Sequence, residues 1–266
     1  MFKQSIYMTD LRIHTPDTGL RAAYDHCDVN GFPVPFYYAA PAGKSNLPVV
    51  LVVQEIFGLH AYIADVCRRF AQQGYLAIAA DLYKRQGNAT DFDDIPQLMS
   101  GLVNRVPQDQ VLADLDATLA WAGANGGDLG RAAITGFCWG GRISWLYCAH
   151  NPTVRTGVAW YGRLMGAKTA LQPEHPLDIT ERLRVPVLAL YGGKDAGIPL
   201  SMVDEMKNAL ATAATAGNPA AAQSTFVIYP EAEHAFHADY RPAYRASDAA
   251  DGFQRTLDWF AAHGVA

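Results

Sequence analysis

Cys138 is the residue whose surroundings most clearly predict chemistry. It lies in the run Gly-Phe-Cys-Trp-Gly-Gly at 136–141, between a predicted strand and a predicted helix. Glycines on both sides of a nucleophile permit the tight turn that projects it from the edge of a sheet, because larger side chains would collide there. The adjacent helix N-terminus favours a thiolate and a developing oxyanion. The pattern predicts a cysteine nucleophile, and its alternative is an inert buried cysteine in a tight turn.

Two further groups follow Cys138 in the order nucleophile, acid, histidine. Asp195 comes after the apolar run at 185–191, and His234 comes after the apolar run at 226–229. The carboxyl ends of parallel strands share one sheet edge, so we expect both side chains beside the sulfur. Taken alone, Asp195 could be a turn former and His234 a surface histidine. Their order and context together predict a Cys-His-Asp triad.

The elements that must position these three loops alternate along the chain. Continuous apolar runs are typical of strands buried on both faces, and apolar residues at helical spacing indicate amphipathic helices. The predicted strands span residues 32–39, 49–54, 75–80, 132–136, 157–161, 185–191 and 224–229. The predicted helices span residues 61–74, 109–124, 140–149, 200–216 and 247–263. This alternation predicts an α/β fold with a mostly parallel central sheet and helices on both faces.

The domain organisation follows from length and pattern. We expect a single domain over residues 1–266, with residues 1–30 as an N-terminal extension packing on it. Residues 88–106 are irregular and polar and could cover a site, and residues 211–222 indicate a helix end followed by a surface loop.

Composition and charge exclude several classes of function. The chain has 266 residues, 50% of them hydrophobic, and a formal net charge of −5 with both signs interspersed. Such a chain has no electrostatic reason to bind nucleic acid or an anionic membrane. No apolar run approaches the roughly 20 residues that cross a bilayer, and the first ten residues lack the apolar centre of a signal peptide. We expect a cytoplasmic protein, although a chain trimmed of its signal would look the same.

The cysteines argue against a metal or redox centre. None of Cys27, Cys67, Cys138 and Cys148 belongs to a Cys-x-x-Cys pair, so a zinc site is not expected. His60 and His237 are expected to be structural or peripheral.

Four segments together resemble the dienelactone hydrolase family (carboxymethylenebutenolidases) of the α/β-hydrolase superfamily. They are Gln-Glu-Ile-Phe-Gly at 54–58, Asp-Leu-Tyr-Lys-Arg-Gln at 81–86, the cysteine run at 136–141 and Glu-His-Ala-Phe at 233–236. The resemblance runs from about residue 32 to the end. It implies hydrolysis of a cyclic enol ester by a Cys-His-Asp triad through an acyl-thioester, without a cofactor. The expected partner is a small ester or lactone that bears a carboxylate, and the expected state is a monomer or small homo-oligomer.

The resemblance also implies roles around the triad. Glu55 contacts the resting thiol and swings away when substrate binds, and its alternative is a structural carboxylate paired with an arginine. Arg85 binds the substrate carboxylate, and its alternative is a solvated loop arginine. The family's second arginine is absent, because Ala238 stands at its position, and Arg241 could replace it only if the loop bends. The remaining predicted contacts are the oxyanion-binding N–H groups of Trp139 and Ile56 and the substrate-binding side chains of Phe57, Tyr161 and Phe236.

The missing arginine leaves other functions open. A general carboxylesterase or a thioesterase on the same fold is the first alternative, and a panel of enol lactones, alkyl esters and acyl-thioesters would separate them. A non-catalytic binding protein is the second alternative, which a degenerate triad would favour.

Overall fold

The computed structural model describes residues 11–266, so part of the predicted N-terminal extension, residues 1–10, lies outside the described residues. The strands are β1 Leu20–Val29, β2 Phe32–Pro41, β3 Leu47–Val53, β4 Leu76–Ala80, β5 Gly127–Phe137, β6 Thr156–Trp160, β7 Val187–Gly192 and β8 Thr225–Tyr229. The helices are α1 Ala61–Gln72, α2 Ile95–Gly101, α3 Gln108–Ala124, α4 Trp139–His150, α5 Leu200–Thr215, α6 Pro219–Gln223 and α7 Ala246–Ala262.

All eight strands form one sheet in the order β1-β2-β4-β3-β5-β6-β7-β8. The pairs β1–β2 and β2–β4 are antiparallel, and every pair from β4 to β8 is parallel. Strands β3, β4, β6 and β7 are buried along their whole length, as their continuous apolar sequences predict. The predicted mostly parallel α/β fold is confirmed.

Contacts between helices show how the sheet is covered. The Phe70 ring of α1 lies 5.0 Å from Phe253 and 6.1 Å from Phe260 of α7. The Tyr147 hydroxyl of α4 donates a 2.8 Å hydrogen bond to Asp116 of α3. These two helix pairs form the layers on the sheet and leave the loops after the parallel strands to build a common edge.

The structure differs from the sequence prediction in three segments. Strand β1 was not predicted, because it is a largely exposed edge strand whose side chains show no clear alternation of burial. Residues 88–106, predicted as irregular, contain α2, whose N-cap Asp94 accepts a 2.8 Å hydrogen bond from the Gln97 N–H. The surface loop predicted before residue 222 contains the short helix α6, which Asn218 caps.

Candidate active site

Cys138 occupies a tight turn between β5 and α4. Its φ of 56° and ψ of −113° lie outside the usual regions for a residue with a side chain. A Cβ added to Gly136 would lie 2.3 Å from the Gly140 carbonyl oxygen, and one added to Gly140 would lie 2.4 Å from the Val53 carbonyl oxygen. The two glycines are therefore required by the close approach of β3, β5 and α4. Such strained residues are typical of functional sites.

The side chains of Asp195 and His234 meet at the same edge of the sheet. Asp195 follows β7, His234 follows β8, and the His234 Nδ1 atom lies 2.7 Å from the Asp195 Oδ2 atom. Asp195 is 3% exposed, and its Oδ1 atom accepts N–H hydrogen bonds from Gly197 at 2.9 Å and Ile198 at 3.1 Å. These bonds leave the carboxylate fixed and oriented toward the imidazole.

The electrostatics of His234 depend on both neighbours. Burial lowers the pKa of the imidazole, but the charge and hydrogen bonding of Cys138, together with the Asp195 hydrogen bond, outweigh burial and raise that pKa to about 10. A histidine with this pKa is protonated near neutral pH, as it is when a thiolate stands beside it. The three groups can therefore exist as a thiolate, an imidazolium and a carboxylate.

A cavity of about 1030 Å³ opens above these groups. We call it the Cys138 cavity. Its wall includes seven residues singled out in the sequence, namely Cys138, His234, Asp195, Trp139, Ile56, Tyr161 and Arg241. Residues 99, 103 and 104 also line it, so the segment 88–106 covers part of the cavity. The volume is at the upper end of the range of small-molecule sites.

The predicted oxyanion donors lie on this wall. Trp139 is the first residue of α4, where a backbone N–H has no acceptor within the helix. Ile56 follows β3, on the other side of the cysteine turn. Both residues line the cavity beside Cys138.

The three predicted aromatic substrate contacts occupy different depths. The Tyr161 ring lies on the wall, 5.2 Å from the His234 ring in an edge-on arrangement. Phe236 is fully buried, and its ring lies 5.3 Å from the ring of Tyr161, which it supports from behind. Phe57 is 8% exposed, with the Arg241 guanidinium 5.4 Å above its ring. Arg241 itself lies on the cavity wall.

Glu55 is buried at the end of β3, with 2% of its surface exposed. The Tyr240 hydroxyl donates a 2.6 Å hydrogen bond to the Glu55 Oε2 atom, and the His60 Nε2 atom lies 3.6 Å from the same oxygen. Within residues 11–266 no arginine pairs with this carboxylate, which differs from the structural alternative considered for Glu55. A tyrosine hydroxyl is the closest partner of this carboxylate.

Arg85 lies outside the Cys138 cavity. Its guanidinium forms an ion pair with Asp114 and stacks 4.5 Å from the centre of the Phe32 ring. Arg85, Asp114 and Phe32 line a second cavity of about 740 Å³, which we call the Arg85 cleft. Arg85 therefore does not line the cavity that contains Cys138, because a buried aspartate on α3 holds its side chain elsewhere.

Two arginines that the sequence analysis did not select line the Cys138 cavity. Arg163 follows the end of β6 at Trp160 and is exposed to the cavity. Arg142, in α4, is buried and donates hydrogen bonds to the Glu174 carbonyl and to Gln108. Its burial lowers the pKa of the guanidinium to about 10. Arg163 could have been found by the rule that located Asp195 and His234, namely the loop that follows a parallel strand.

Two other kinds of functional feature are missing from the described part of the chain. Residues 11–266 contain no group of three or more His, Cys, Asp or Glu side chains that could hold a metal ion. None of the helices within those residues is long and apolar enough to cross a membrane.

Comparison with known proteins shows which family has this sequence and fold. Residues 34–264 match the model of the dienelactone hydrolase family. A protein of Salmonella typhimurium with the provisional name carboxymethylenebutenolidase is 54% identical over 253 residues, which cover 95% of this chain and 91% of the relative. A protein of Methylorubrum extorquens with the same provisional name is 51% identical, over 96% of this chain and 85% of that one.

A solved structure agrees with these sequence matches. The crystal structure of a provisionally assigned dienelactone hydrolase from Klebsiella pneumoniae superimposes with a TM-score of 0.87 at 52% sequence identity, covering 91% of this chain and 98% of that one. Fold, sequence and family model agree over almost the full described length. The chain therefore belongs to the dienelactone hydrolase family and is a hydrolase with the α/β-hydrolase fold.

Proposed function

We propose that this hydrolase cleaves activated carboxylic esters and lactones, including dienelactone-like cyclic enol esters, with Cys138 as nucleophile. His234 serves as the acid and base, and Asp195 orients its imidazole. The observation that carries the proposal is the 2.7 Å contact between His234 Nδ1 and Asp195 Oδ2 in the cavity that also contains Cys138. The carboxymethylenebutenolidase name of the relatives supports a lactone substrate.

The acylation step uses the thiolate–imidazolium pair. The Cys138 thiolate attacks the ester carbonyl, and the oxyanion accepts hydrogen bonds from the N–H groups of Trp139 and Ile56. When the tetrahedral intermediate collapses, the ester C–O bond breaks and the ring opens to an enolate. The enolate takes a proton from the His234 imidazolium and becomes a ketone. Cys138 then carries the acyl group as a thioester.

The deacylation step returns the enzyme to its starting state. Neutral His234 removes a proton from water, which attacks the thioester carbonyl. The thiolate of Cys138 leaves, and the His234 imidazolium forms again beside it. Asp195 stabilises the positive imidazole in both steps, because its buried carboxylate is already oriented by two backbone N–H groups.

Sulfur biases the choice of substrate. A thiolate leaves a tetrahedral intermediate more easily than an alkoxide, so an alkyl ester tends to revert to starting material. The enolate released from an enol ester or enol lactone is stable enough to leave the tetrahedral intermediate in competition with the thiolate. The cysteine therefore favours activated esters over simple ones.

A carboxylate on the substrate would find cations within the cavity. Arg241 and Arg163 line its wall, and a guanidinium can bind a carboxylate through two hydrogen bonds. We propose that Arg241, rather than Arg85, reads the substrate carboxylate. Neither the cavity position of Arg241 nor that of Arg163 follows from the family pattern.

One observation favours a second candidate, a general carboxylesterase or thioesterase. Arg85 is engaged by Asp114 in a separate cleft, and Ala238 stands where the family has its second arginine. Neither of the two family arginines is then available in the Cys138 cavity, which weakens the preference for a substrate that bears a carboxylate. Relative rates on enol lactones, alkyl esters and acyl-thioesters separate the two candidates.

We also propose that residues 1–266 act as one domain. Residues 11–266 share one sheet and one continuous hydrophobic core, and β1 pairs with β2 along its whole length. This pairing makes the described part of the N-terminal extension an edge of the same sheet.

The test combines a substrate panel with trapping of the acyl-enzyme. We expect wild-type enzyme to hydrolyse enol lactones faster than alkyl esters or acyl-thioesters, and mass spectrometry to detect an acyl group on the Cys138 peptide. Cys138→Ser is expected to lose at least about 100-fold in kcat on enol lactones, whereas Cys27→Ser, on β1, serves as the control. Wild-type rates from Cys138→Ser would contradict the proposed nucleophile.

A further inference from the structure

The Cys138 cavity is lined by two arginines besides Arg241. Arg142 lies in the first turn of α4, where its backbone N–H donates a 3.3 Å hydrogen bond to the Cys138 carbonyl, and Arg163 lies in the loop that follows β6. Both side chains line the cavity together with His175. We call Arg142, Arg163 and His175 the arginine subsite. The proposed hydrolysis steps use none of the three.

The guanidinium of Arg142 is buried without a carboxylate partner. Arg142 is 4% exposed, and no ion pair within residues 11–266 includes it. Its three hydrogen-bond acceptors are neutral, namely the imidazole of His175 at 3.3 Å, the side-chain amide of Gln108 at 3.2 Å and the backbone carbonyl of Glu174 at 2.5 Å. The Glu174 carboxylate is itself engaged by Arg182 and by the Gln108 amide N–H. A buried charge of this kind is costly unless an anion compensates it.

The hydrogen bonds of His175 show that it leaves this charge intact. A guanidinium only donates and a carbonyl only accepts, so His175 accepts from Arg142 at Nδ1 and donates from Nε2 to the Ala167 carbonyl at 3.2 Å. This arrangement requires a neutral imidazole. Burial, together with the charges of Arg142 and Arg163, lowers the pKa of His175 despite the Ala167 hydrogen bond and the charge of Asp178. The imidazole therefore orients Arg142 and stays uncharged near neutral pH.

One guanidinium nitrogen of Arg142 remains available to a ligand. The three hydrogen bonds use Nε and Nη2, and Nη1 has no partner within residues 11–266. Among the described residues, Nη1 is not one of the unpartnered atoms that are sealed from solvent, so it faces the cavity that Arg142 lines. Arg142 thus presents one oriented donor and a full positive charge to the cavity.

Arg163 adds a second cation beside this donor. It is exposed to the cavity, and no hydrogen bond or ion pair within residues 11–266 includes its guanidinium. A Cβ added to Gly166 would lie 3.2 Å from Cε1 of His175 and 3.8 Å from Cδ of Arg163, so both side chains pack against one glycine. The Arg163 side chain therefore lies close to the imidazole that orients Arg142.

The carboxylates of the cavity wall do not neutralise the arginine subsite. They belong to Asp195 and Glu233. Asp195 is bonded to His234, and no ion pair in the described part of the chain joins Glu233 to Arg142 or Arg163. A cavity wall with two cations and no paired carboxylate favours an anionic group on the ligand.

We propose that the arginine subsite binds a second carboxylate of the substrate, separate from the one that Arg241 reads, so that the enzyme prefers esters or lactones that carry two carboxylates. This inference rests on the proposed function, which places the scissile ester at Cys138 in the same cavity. Arg163 provides a planar fork for two hydrogen bonds, and Arg142 adds a donor whose orientation is already fixed. The two arginines determine specificity and take no part in proton transfer.

Four aryl esters that differ only in charge test the proposal. One is neutral, one carries a carboxylate on the acyl group, one carries it on the aryl leaving group, and one carries both. Arg163→Gln should raise KM for one singly charged ester by about 10-fold relative to the neutral ester, the scale of one charge-assisted contact. Arg241→Gln should do the same for the other singly charged ester, and the doubly charged ester should respond to both. Arg155→Gln, an exposed position just before β6, is the matched control.

Binding without chemistry separates this proposal from the catalytic one. Calorimetry measures the Kd of the amide analogue of the doubly charged ester for Cys138→Ser, which lacks the proposed nucleophile. Adding Arg163→Gln should raise this Kd by about 10-fold, whereas adding Arg155→Gln should not change it. Arg163 is exposed, so its replacement should leave the fold intact, and a melting curve verifies this.

Either of two kinetic outcomes would overturn the proposal. One is an Arg163→Gln enzyme whose KM changes equally for all four esters, and the other is that Arg163→Gln and Arg241→Gln act on the same carboxylate. An unchanged Kd after Arg163→Gln, with Cys138→Ser inactive, would reject the arginine subsite and leave the proposed function intact. Full hydrolysis by Cys138→Ser, with a raised Kd after Arg163→Gln, would instead reject the proposed nucleophile and retain the arginine subsite.

Discussion

The Cys138 cavity and the Arg85 cleft are each lined by an arginine that lies over a phenylalanine ring, but within residues 11–266 only the arginine of the cleft is paired with a carboxylate. In the cleft, Arg85 lies over Phe32 and is paired with Asp114, whose side chain is 1% exposed. Arg241, on the wall of the cavity, lies over Phe57, and no ion pair within residues 11–266 includes it. A guanidinium that already has a buried counter-charge gains little from a second anion. Whether an arginine is paired with a carboxylate therefore predicts its ability to bind a substrate anion better than the sequence motif around it does.

The two sites share a wall, which makes the comparison closer. In the loop after β6, Gly166, Ala167, Thr169, Gln172 and His175 face the Cys138 cavity, whereas Ala170, Leu171 and Pro173 face the Arg85 cleft. Gln108 lines the cleft while its side chain accepts a 3.2 Å hydrogen bond from Arg142 of the cavity. The sites differ in chemistry although a single loop separates them. Substitutions should accordingly affect activity in one and stability in the other.

The largest effect is expected for His234. Replacing it with alanine should lower kcat on an enol lactone by about 10³-fold, because both proton transfers lose their carrier. Its side chain is 40% exposed, so the variant should still fold cooperatively, with a melting temperature lowered by loss of the stability that the raised histidine pKa contributes. Steady-state kinetics and a melting curve test this, with His26→Ala on the exposed face of β1 as control. A His234→Ala enzyme of near-normal kcat would contradict the assignment of catalysis to the Cys138 cavity.

The protonation of His234 should also depend on the sulfur. We expect its imidazole to titrate at about 10 in the wild-type enzyme and at a lower pH in Cys138→Ala, because the raising charge of the thiolate is gone while burial still lowers the pKa. A histidine pKa raised on folding adds stability that is complete below its ordinary value near 6.5 and is lost as the pH rises through about 10. Nitrogen-detected NMR of the histidine rings measures both values. The same His234 pKa in the wild-type enzyme and in Cys138→Ala would contradict an electrostatic interaction between the sulfur and the imidazole.

A change at Arg85 should affect stability instead. Arg85→Met leaves the Asp114 carboxylate buried without its counter-charge, at a cost of about 2–3 kcal/mol in the free energy of unfolding. Burial raises the pKa of Asp114, and the hydrogen bond and charge of Arg85 oppose that rise, so the pKa should be higher still in Arg85→Met and the variant should lose further stability as the pH rises through the carboxyl range. The loss should therefore be greater at pH 8 than at pH 5.

Urea unfolding at the two pH values measures the Arg85→Met effect, with the exposed Arg105→Met as control. Catalytic efficiency should stay at the wild-type value, because Arg85 lies outside the Cys138 cavity. A selective loss of activity on carboxylate-bearing esters would show that Arg85 reaches the substrate after all.

The smallest effect, and the most selective one, is expected for Arg241. Arg241→Gln should raise KM for a carboxylate-bearing ester by about 10-fold, the scale of one charge-assisted hydrogen bond, and leave KM for a neutral ester unchanged. Arg85→Gln is the matched control. Equal effects of Arg241→Gln on both esters would favour the general carboxylesterase or thioesterase.

The elements of the fold were largely predictable, because their signals are local. The buried strand β3 differs from the predicted 49–54 by shifts at its ends, and α3 differs from the predicted 109–124 by one residue. Strand β1 escaped prediction because an exposed edge strand lacks the alternation that one-sided burial imposes. Helix α2 escaped because it is short and lies between two irregular turns.

The site divides in the same way. The sequence alone determined the order of Cys138, Asp195 and His234, and the glycines that the turn requires, since each signal lies within a few consecutive residues. Only the tertiary structure decided which arginine is free and what holds Glu55. Those answers depend on the Arg85–Asp114 and Tyr240–Glu55 contacts, whose partners are 29 and 185 positions apart. Pairing of buried charges is decided by which distant side chains folding brings together, and no local pattern encodes that.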